Sequence, residues 1–130
     1  MKKLRVVDFL FETFNITSDE FCCSLAIFYT FENTNIEELE IDDLTYFSIT
    51  IGTPKGIGSY FEKIRDNSIN IISYFPHIAV VDTFDKESLK AIIKEKLETI
   101  VGKNENEVIK KAMIFFDWQY QDDEYELNKL

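Results

Sequence analysis

The hydrophobic pattern changes its period part-way along this chain. Up to Phe84, apolar residues come in short runs rich in Ile, Val, Phe, Tyr and Thr, which are typical of strands. After Asp85 they recur every three or four residues, as on one face of an amphipathic helix. Strand-type segments followed by helix-type segments predict an α+β fold, in which helices pack on one face of a mostly antiparallel sheet.

Five segments carry the strand signal: residues 4–11, 21–31, 45–52, 69–75 and 78–84. Alternation in the third predicts that Phe47, Ile49 and Ile51 face a core and that Thr45, Ser48 and Thr50 face outward. Pro76 separates the last two segments. Because proline cannot donate a ladder hydrogen bond, we expect residues 75–77 to be a tight connection within an antiparallel pair.

Two helices are predicted in the C-terminal part. The first runs from Asp85, its cap, to Val101, and Gly102 is expected to end it in a left-handed conformation. Its predicted apolar face is Leu89, Ile92, Ile93, Leu97, Ile100 and Val101. The second begins at Asn104, which with Glu107 resembles a capping box. Its predicted buried stripe is Val108, Ile109, Ala112, Met113 and Phe116.

A shorter helix is predicted between strands. Ser59 and Glu62 have the spacing of a capping box, which favours a helix of about eight residues from Tyr60. The preceding residues, Gly52 to Ser59, are expected to form a loop. This loop resembles a phosphate-binding loop only faintly, because its lysine does not follow a glycine and precede Ser or Thr.

The chain of 130 residues is long enough for one domain with a real core and too short for two full ones. Its 19 aromatic residues are a feature that disordered acidic chains lack. We therefore predict a single domain over residues 1–130, in which the polar residues 121–130 form a flexible tail.

No segment predicts export or membrane insertion. The basic start, Met1 to Arg5, could open a signal peptide, but Asp8 interrupts the apolar stretch and no small-residue cleavage site follows. The densest apolar run, Phe21 to Phe31, is about half as long as a membrane span requires. We expect a cytoplasmic protein that does not bind membranes.

The charge is distributed very unevenly. From Val6 to Pro54 there is no Lys or Arg, although this interval carries ten carboxylates. The net charge of the whole chain is −10, and residues 55–130 hold 14 acids against 11 bases. Such a field repels phosphate backbones and attracts basic partners. It argues against nucleic-acid binding and for a basic protein partner; the alternative is an acidic surface that only keeps the chain soluble.

No catalytic constellation is evident. His77 is the only imidazole, and we expect it to be exposed or to cap a turn. Cys22 and Cys23 are adjacent, so a disulfide between them would strain the backbone, and in an apolar strand each is expected to be a buried thiol with a high pKa. Two cysteines and one histidine also fall short of a structural zinc site, so no metal or cofactor is expected. For Trp118, core packing is the first interpretation and an interface anchor the alternative.

Four segments together point to a family: residues 47–57, residues 78–88, a helix that closes in Gly102, and a second helix that ends in Phe116-Asp-Trp-Gln-Tyr120. In this combination the chain resembles a family of bacterial immunity proteins, over roughly residues 37–120. These are the small cytosolic antitoxins encoded beside polymorphic or contact-dependent growth-inhibition toxins. The resemblance implies a protein without enzymatic activity that binds a delivered toxin domain and blocks its active site or substrate surface.

Charge and resemblance together predict the partner. The resemblance implies a toxin that acts on nucleic acid through a basic surface, which an acidic inhibitor can cover. We expect the chain to bind one cognate toxin, a nuclease, through the segments 37–43 and 122–126, with two tyrosines as aromatic anchors. The predicted toxin-binding residues are Glu37, Glu38, Glu40, Asp42, Asp43, Tyr120, Asp122, Asp123, Glu124 and Tyr125.

Two other classes of function stay open at this point. One is a non-catalytic adaptor domain of phage or regulatory origin, and the other is a small hydrolase that uses His77 or the carboxylates. The sequence does not predict an oligomeric state.

Overall fold

The structure of the chain is a computed structural model that describes the backbone of residues 1–16, 19–33, 44–64 and 77–130, and the side chains of these residues except 13–16, 63 and 64. Six strands and four helices lie in these ranges. In chain order they are β1 (Lys2–Ile16), β2 (Phe21–Phe31), β3 (Thr45–Gly52), α1 (Pro54–Ile64), β4 (Ile78–Val80), α2 (Lys86–Glu98), β5 (Val101–Gly102), α3 (Glu105–Ala112), β6 (Asp117–Trp118) and α4 (Glu124–Asn128).

The strands form a sheet in the order β4-β3-β2-β1-β5, with β6 beside β3. The end of β2 lies beside the start of β1, because the Glu32 N–H donates to the Lys3 carbonyl at 2.9 Å. The start of β2 lies beside the end of β3 in the same way, so both pairs are antiparallel. β5 and β6 are also antiparallel to their neighbours, whereas β4 is parallel to β3. The predicted α+β class with a mostly antiparallel sheet is confirmed.

Some strand bounds differ from the prediction. β2 and β3 begin and end where the sequence placed them, but β1 is longer and β4 is shorter than predicted. On β3, Phe47 and Ile51 are buried as expected, whereas Ile49 is only half-buried and Thr50 is buried. The predicted strand at 69–75 and its connection through Pro76 lie outside the described residues.

The chain divides into two compact units. The first unit contains Met1–Leu10, Ala26–Ser48 and Lys86–Leu130, and the second contains Phe11–Leu25 and Ile49–Asp85. Each unit has its own buried side chains.

The core of the first unit is aromatic. The rings of Tyr29 and Phe47 are stacked with centroids 4.6 Å apart, and Phe116 lies 6.5 Å from Phe47. Helix α2 contributes Leu89, Ile93 and Leu97, and α3 contributes Val108, Ile109 and Ala112. Ile92, predicted as a core residue of α2, is instead 64% exposed. The buried residues of α2 are spaced by four, so its buried stripe is narrower than the sequence pattern indicated.

The turn between α2 and α3 also differs from the prediction at one residue. Asn104 caps α3 as expected, because its Oδ1 accepts a hydrogen bond from the Glu107 N–H at 2.9 Å. Gly102 does not end α2 in a left-handed conformation, since no described glycine has a positive φ. It lies in β5 opposite Lys2, where a Cβ would meet Val108 Cγ2 at 2.9 Å. Glycine is needed there for a close approach to α3.

In the second unit, α1 begins earlier than predicted. Thr53 is its cap: the hydroxyl accepts from the Gly56 N–H at 3.1 Å, and Pro54 occupies the first helical position. Most of the predicted loop is therefore helix. Ser59 lies inside α1 and does not cap it, and its Oγ donates to Glu20 Oε1 at 2.6 Å.

Thr53 also fixes this helix against the first residue of β2. The Phe21 N–H donates to Thr53 Oγ1 at 3.0 Å, and the Thr53 N–H donates to the Phe21 carbonyl at 2.9 Å. A Cβ built on Gly56 would come within 1.9 Å of that carbonyl oxygen, and one on Gly52 within 2.6 Å. The glycines thus allow a backbone contact that a side chain would prevent. The Phe21 ring is itself buried against Phe84, with ring centroids 4.3 Å apart.

Substituting each of two α1 glycines tests this contact. We expect Gly56→Ala to destabilise the protein by about 1–3 kcal/mol, because its Cβ would overlap rigid backbone. Gly58→Ala is the matched control in the same helix: nothing lies within 4 Å of its Cβ, so it should be neutral or stabilise by up to about 1 kcal/mol. Urea unfolding followed by far-UV circular dichroism measures both. Equal effects of the two substitutions would contradict the proposed contact.

Candidate functional site

The predicted C-terminal site follows directly on a buried anchor. Trp118 lies in β6, opposite Phe47 of β3, and its Nε1–H donates to the Tyr29 hydroxyl at 3.0 Å. Both side chains are buried in the first unit. The core interpretation of Trp118 is confirmed, and the residue positions the segment that carries Tyr120 and the tail carboxylates.

The chain just after Trp118 stays fixed to β3. The Gln119 N–H donates to the Tyr46 carbonyl at 3.1 Å, and Gln119 Oε1 accepts from the Tyr46 N–H at 3.2 Å. Tyr120 is half-buried, with its ring edge-on to Trp118 at a centroid distance of 5.3 Å. Tyr120 is therefore partly used in packing and keeps only part of its surface for a partner.

The remaining predicted tail residues lie at the start of α4, in the segment predicted to be a flexible tail. Asp123 caps the helix, because its Oδ1 accepts from the Glu126 N–H at 3.2 Å. The helix is also joined to α3, since Asn106 Nδ2 donates to the Lys129 carbonyl at 3.0 Å. A short helix thus presents residues 122–126 on a defined backbone.

Acidic groups and one ring dominate the exposed surface of α4. Tyr125 is 71% exposed, and Asp122, Asp123 and Glu124 are exposed as well. Lys129 Nζ lies 4.2 Å from the centroid of the Tyr125 ring and 3.1 Å from Glu126 Oε1. The hydrogen bond that Lys129 donates to Glu126 raises the pKa of Lys129. Lys129 therefore lies as a cation on the Tyr125 ring, and a lysine or arginine of a partner could take its place.

The structure brings together one of the two predicted segments. Tyr120, Asp122, Asp123, Glu124 and Tyr125 follow one another on the segment from β6 to α4. Glu37, Glu38, Glu40, Asp42 and Asp43 lie outside the described residues.

His77 and possible metal ligands are the other candidates for catalysis or metal binding. His77 is half-buried at the start of β4, where its backbone carbonyl accepts from the Thr50 N–H at 3.4 Å. The described part of the chain contains no group of three or more potential metal ligands. It also contains no helix long and apolar enough to cross a membrane.

The two cysteines are buried and unpaired, as predicted. Burial raises the pKa of both thiols, and it raises that of Cys23 to about 12, with the neighbouring Cys22 adding to the shift. A thiol with such a pKa is protonated at neutral pH and is a poor nucleophile.

One polar cluster in the second unit was not predicted from the sequence. Glu20 accepts from Ser59 and lies 3.6 Å from Lys55 Nζ, beside an open cleft of about 600 Å³. The hydrogen bond from Ser59, followed by the charge of Lys55, lowers the pKa of Glu20. These contacts join α1 to the residue before β2, so their role is structural.

Comparison with known proteins adds the decisive observation: the family described as immunity protein 8 matches residues 1–123. The chain belongs to this family of bacterial toxin immunity proteins. The match also includes β1 and β2, which precede the 37–120 resemblance seen in the sequence. Neither a curated protein nor a solved structure is similar enough to add to this assignment.

Membership in this family indicates toxin neutralisation and implies a cognate toxin as partner. Immunity protein families generally consist of inhibitors without catalytic activity.

A double-mutant cycle tests the anchor beneath the site. We expect Trp118→Phe and Tyr29→Phe each to destabilise the first unit, and the pair to show a coupling of about 1 kcal/mol, because both remove the same buried hydrogen bond. Chemical unfolding followed by far-UV circular dichroism gives the four stabilities. Strictly additive effects would show that the two groups do not depend on each other.

The raised pKa of Cys23 predicts how stability varies with pH. Below pH 9 the thiol is protonated in both states; between pH 9 and about 12 only the unfolded chain loses this proton, so the free energy of unfolding falls as pH rises. The slope is at most about 1.4 kcal/mol per pH unit. Relative to a Cys23→Ala variant in reductant, the parent should lose stability between pH 8 and pH 10.5. The tyrosines, which are the same in both proteins, cancel in this comparison, and a pH-independent difference would contradict the raised pKa of Cys23.

Proposed function

We propose that this immunity protein acts in the cytoplasm, where it binds one cognate toxin and covers its active site or substrate surface, and that the toxin is a basic nuclease. The family supports the neutralising role. The charge distribution supports the chemistry of the partner. Neither the family nor the charge distribution provides comparable support for an adaptor role.

The proposal of a basic partner is supported by the interval from Val6 to Pro54, which has ten carboxylates and no Lys or Arg. This interval includes all of β2 and β3 and most of β1. The long strands are therefore free of cations after Arg5. A concentrated negative field raises the rate of encounter with a positive surface by about 10- to 1,000-fold. Rapid capture suits an inhibitor that must reach the toxin before the toxin reaches its substrate.

The contact residues in this proposal are the two acidic segments, 37–43 and 122–126, with Tyr120 and Tyr125 as aromatic anchors. Tyr125 suits this role because its ring is exposed and already binds a cation, Lys129, on one face. A toxin arginine or lysine would take the place of Lys129 at little cost in reorganisation, since the short helix is already formed.

Charge reversal tests the proposal. We expect a variant with Asp122→Lys and Glu124→Lys to associate with the catalytically inactive toxin domain encoded beside the chain about tenfold more slowly at low salt. Its salt dependence should also be shallower, because less of the steering field is left. Reversal of Glu37, Glu38, Glu40, Asp42 and Asp43 should have a larger effect in the same direction. Asp123 is kept in both variants because it caps α4.

The matched control carries Asp82→Lys and Glu95→Lys, which alter two exposed carboxylates and give the same change in net charge as the Asp122/Glu124 variant. Stopped-flow or surface-based kinetics at several salt concentrations measure the association rates. Survival of cells that co-express each variant with the active toxin measures protection. Equal slowing in the control and the test variant would mean that only net charge matters. Unchanged rates in all variants would remove the electrostatic contact while leaving neutralisation itself intact.

A further inference from the structure

Tyr125 and Glu126 of α4 together hold one ammonium group of the chain itself. Lys129 Nζ lies 4.2 Å from the centroid of the Tyr125 ring and 3.1 Å from Glu126 Oε1. A ring face and a carboxylate oxygen are therefore within reach of a single cation, which is the chemistry of a binding site for an ammonium or a guanidinium group. We call the side chains of Tyr125 and Glu126 the cation site of α4.

The cation site of α4 is open to a partner. Tyr125 is 71% exposed even with Lys129 over its ring, whereas Phe115, which holds Lys96 over its ring in a similar way, is 43% exposed. Lys129 is exposed and Glu126 is half-buried. A group that arrives from solvent can therefore reach the ring and the carboxylate without opening the core.

The side chain of Lys129 can leave this site without disturbing α4. The contacts that fix this end of the helix use backbone atoms of Lys129: its N–H donates to the Glu126 carbonyl at 3.2 Å, and its carbonyl accepts from Asn106 Nδ2 at 3.0 Å. The other end of the helix is capped by Asp123. Only the exposed stem of Lys129 has to move, and such side chains change rotamer rapidly.

We propose that the cation site of α4 binds one arginine of the toxin and that Lys129 is an internal competitor, which this arginine displaces. The inference rests on the proposed function, and it adds the group that is bound and a contact that limits the affinity. Arginine is favoured over lysine because its planar guanidinium can lie flat on a ring while it donates two hydrogen bonds to a carboxylate. The ammonium of Lys129 acts only as a point charge.

An internal competitor weakens the binding of an external one. The arginine binds fully only to molecules in which Lys129 has left the ring, so the apparent Kd is raised in proportion to the molecules in which it has not. An exposed cation–π contact contributes a factor of about two to five to an equilibrium constant. Loss of the Lys129 charge should therefore strengthen toxin binding by about this factor.

Removal of the competitor tests the proposal. Lys129→Met keeps most of the side chain but not its charge, and it should lower the Kd for the inactive toxin domain by about two- to fivefold. Lys96→Met is the matched control, because it also removes a lysine from a ring and changes the net charge equally. At about 0.5 M salt, where the long-range field is screened, this control should stay within about 1.5-fold of the parent. Isothermal titration calorimetry measures each Kd.

Two further substitutions show whether the gain comes from the cation site of α4. Tyr125→Leu removes an exposed ring and should raise the Kd by about tenfold, and in this background the gain from Lys129→Met should be largely lost. On the toxin domain, arginines are changed to lysine one at a time. One of these changes should weaken binding to the parent and reduce the gain from Lys129→Met.

The outcomes separate this inference from the proposed function. Unchanged or weaker binding by folded Lys129→Met, or an equal gain in Lys96→Met, would overturn the inference while toxin binding stands. It would also be overturned if no arginine-to-lysine change on the toxin weakened binding. No toxin binding by the parent would overturn both. Thermal unfolding shows whether Lys129→Met is folded, and Lys129→Gln answers the same question if it is not.

Discussion

The buried hydrogen bond between the Trp118 indole and the Tyr29 hydroxyl is the interaction on which the C-terminal surface depends. It joins the two-residue strand β6 to the core of the first unit, where Tyr29 is stacked on Phe47. Either polar group would be costly to bury without its partner. Burial also raises the pKa of Tyr29, although hydrogen bonds from Thr45 and Trp118 oppose the shift. The acidic segment 122–126 begins four residues after Trp118, so its position follows from this anchor.

Negative and positive charges are concentrated in different parts of the chain. The interval from Val6 to Pro54 supplies negative charge without any cation, and the helices supply most of the lysines. Under the proposed function, the long-range field of this interval brings a basic partner in.

Local signals predicted much of the fold, and contacts between distant residues explain what the sequence missed. The ends of β2 and β3 and the Asn104 cap follow from short patterns, and all three are confirmed. The predicted start of α1 was wrong. The observed start depends on Thr53 and Gly56, which lie against the backbone of Phe21. The prediction that Gly102 ends α2 was wrong because Gly102 pairs with Lys2 in the sheet, a contact between residues far apart in the sequence. The acidic tail was visible in the sequence, whereas the hydrogen bond between Trp118 and Tyr29 depends on which strands pair and could not be predicted.

Masking of a nucleic-acid-binding surface is the central claim, and competition measures it most directly. The inactive toxin domain would be saturated with fluorescent nucleic acid and titrated with the immunity protein, while polarisation reports the bound nucleic acid. If the inhibitor masks this surface, inhibitor and nucleic acid cannot bind together, and polarisation should fall to the value of free nucleic acid at one equivalent of the inhibitor. A stable ternary complex, in which toxin activity is blocked while nucleic acid remains bound, would contradict it.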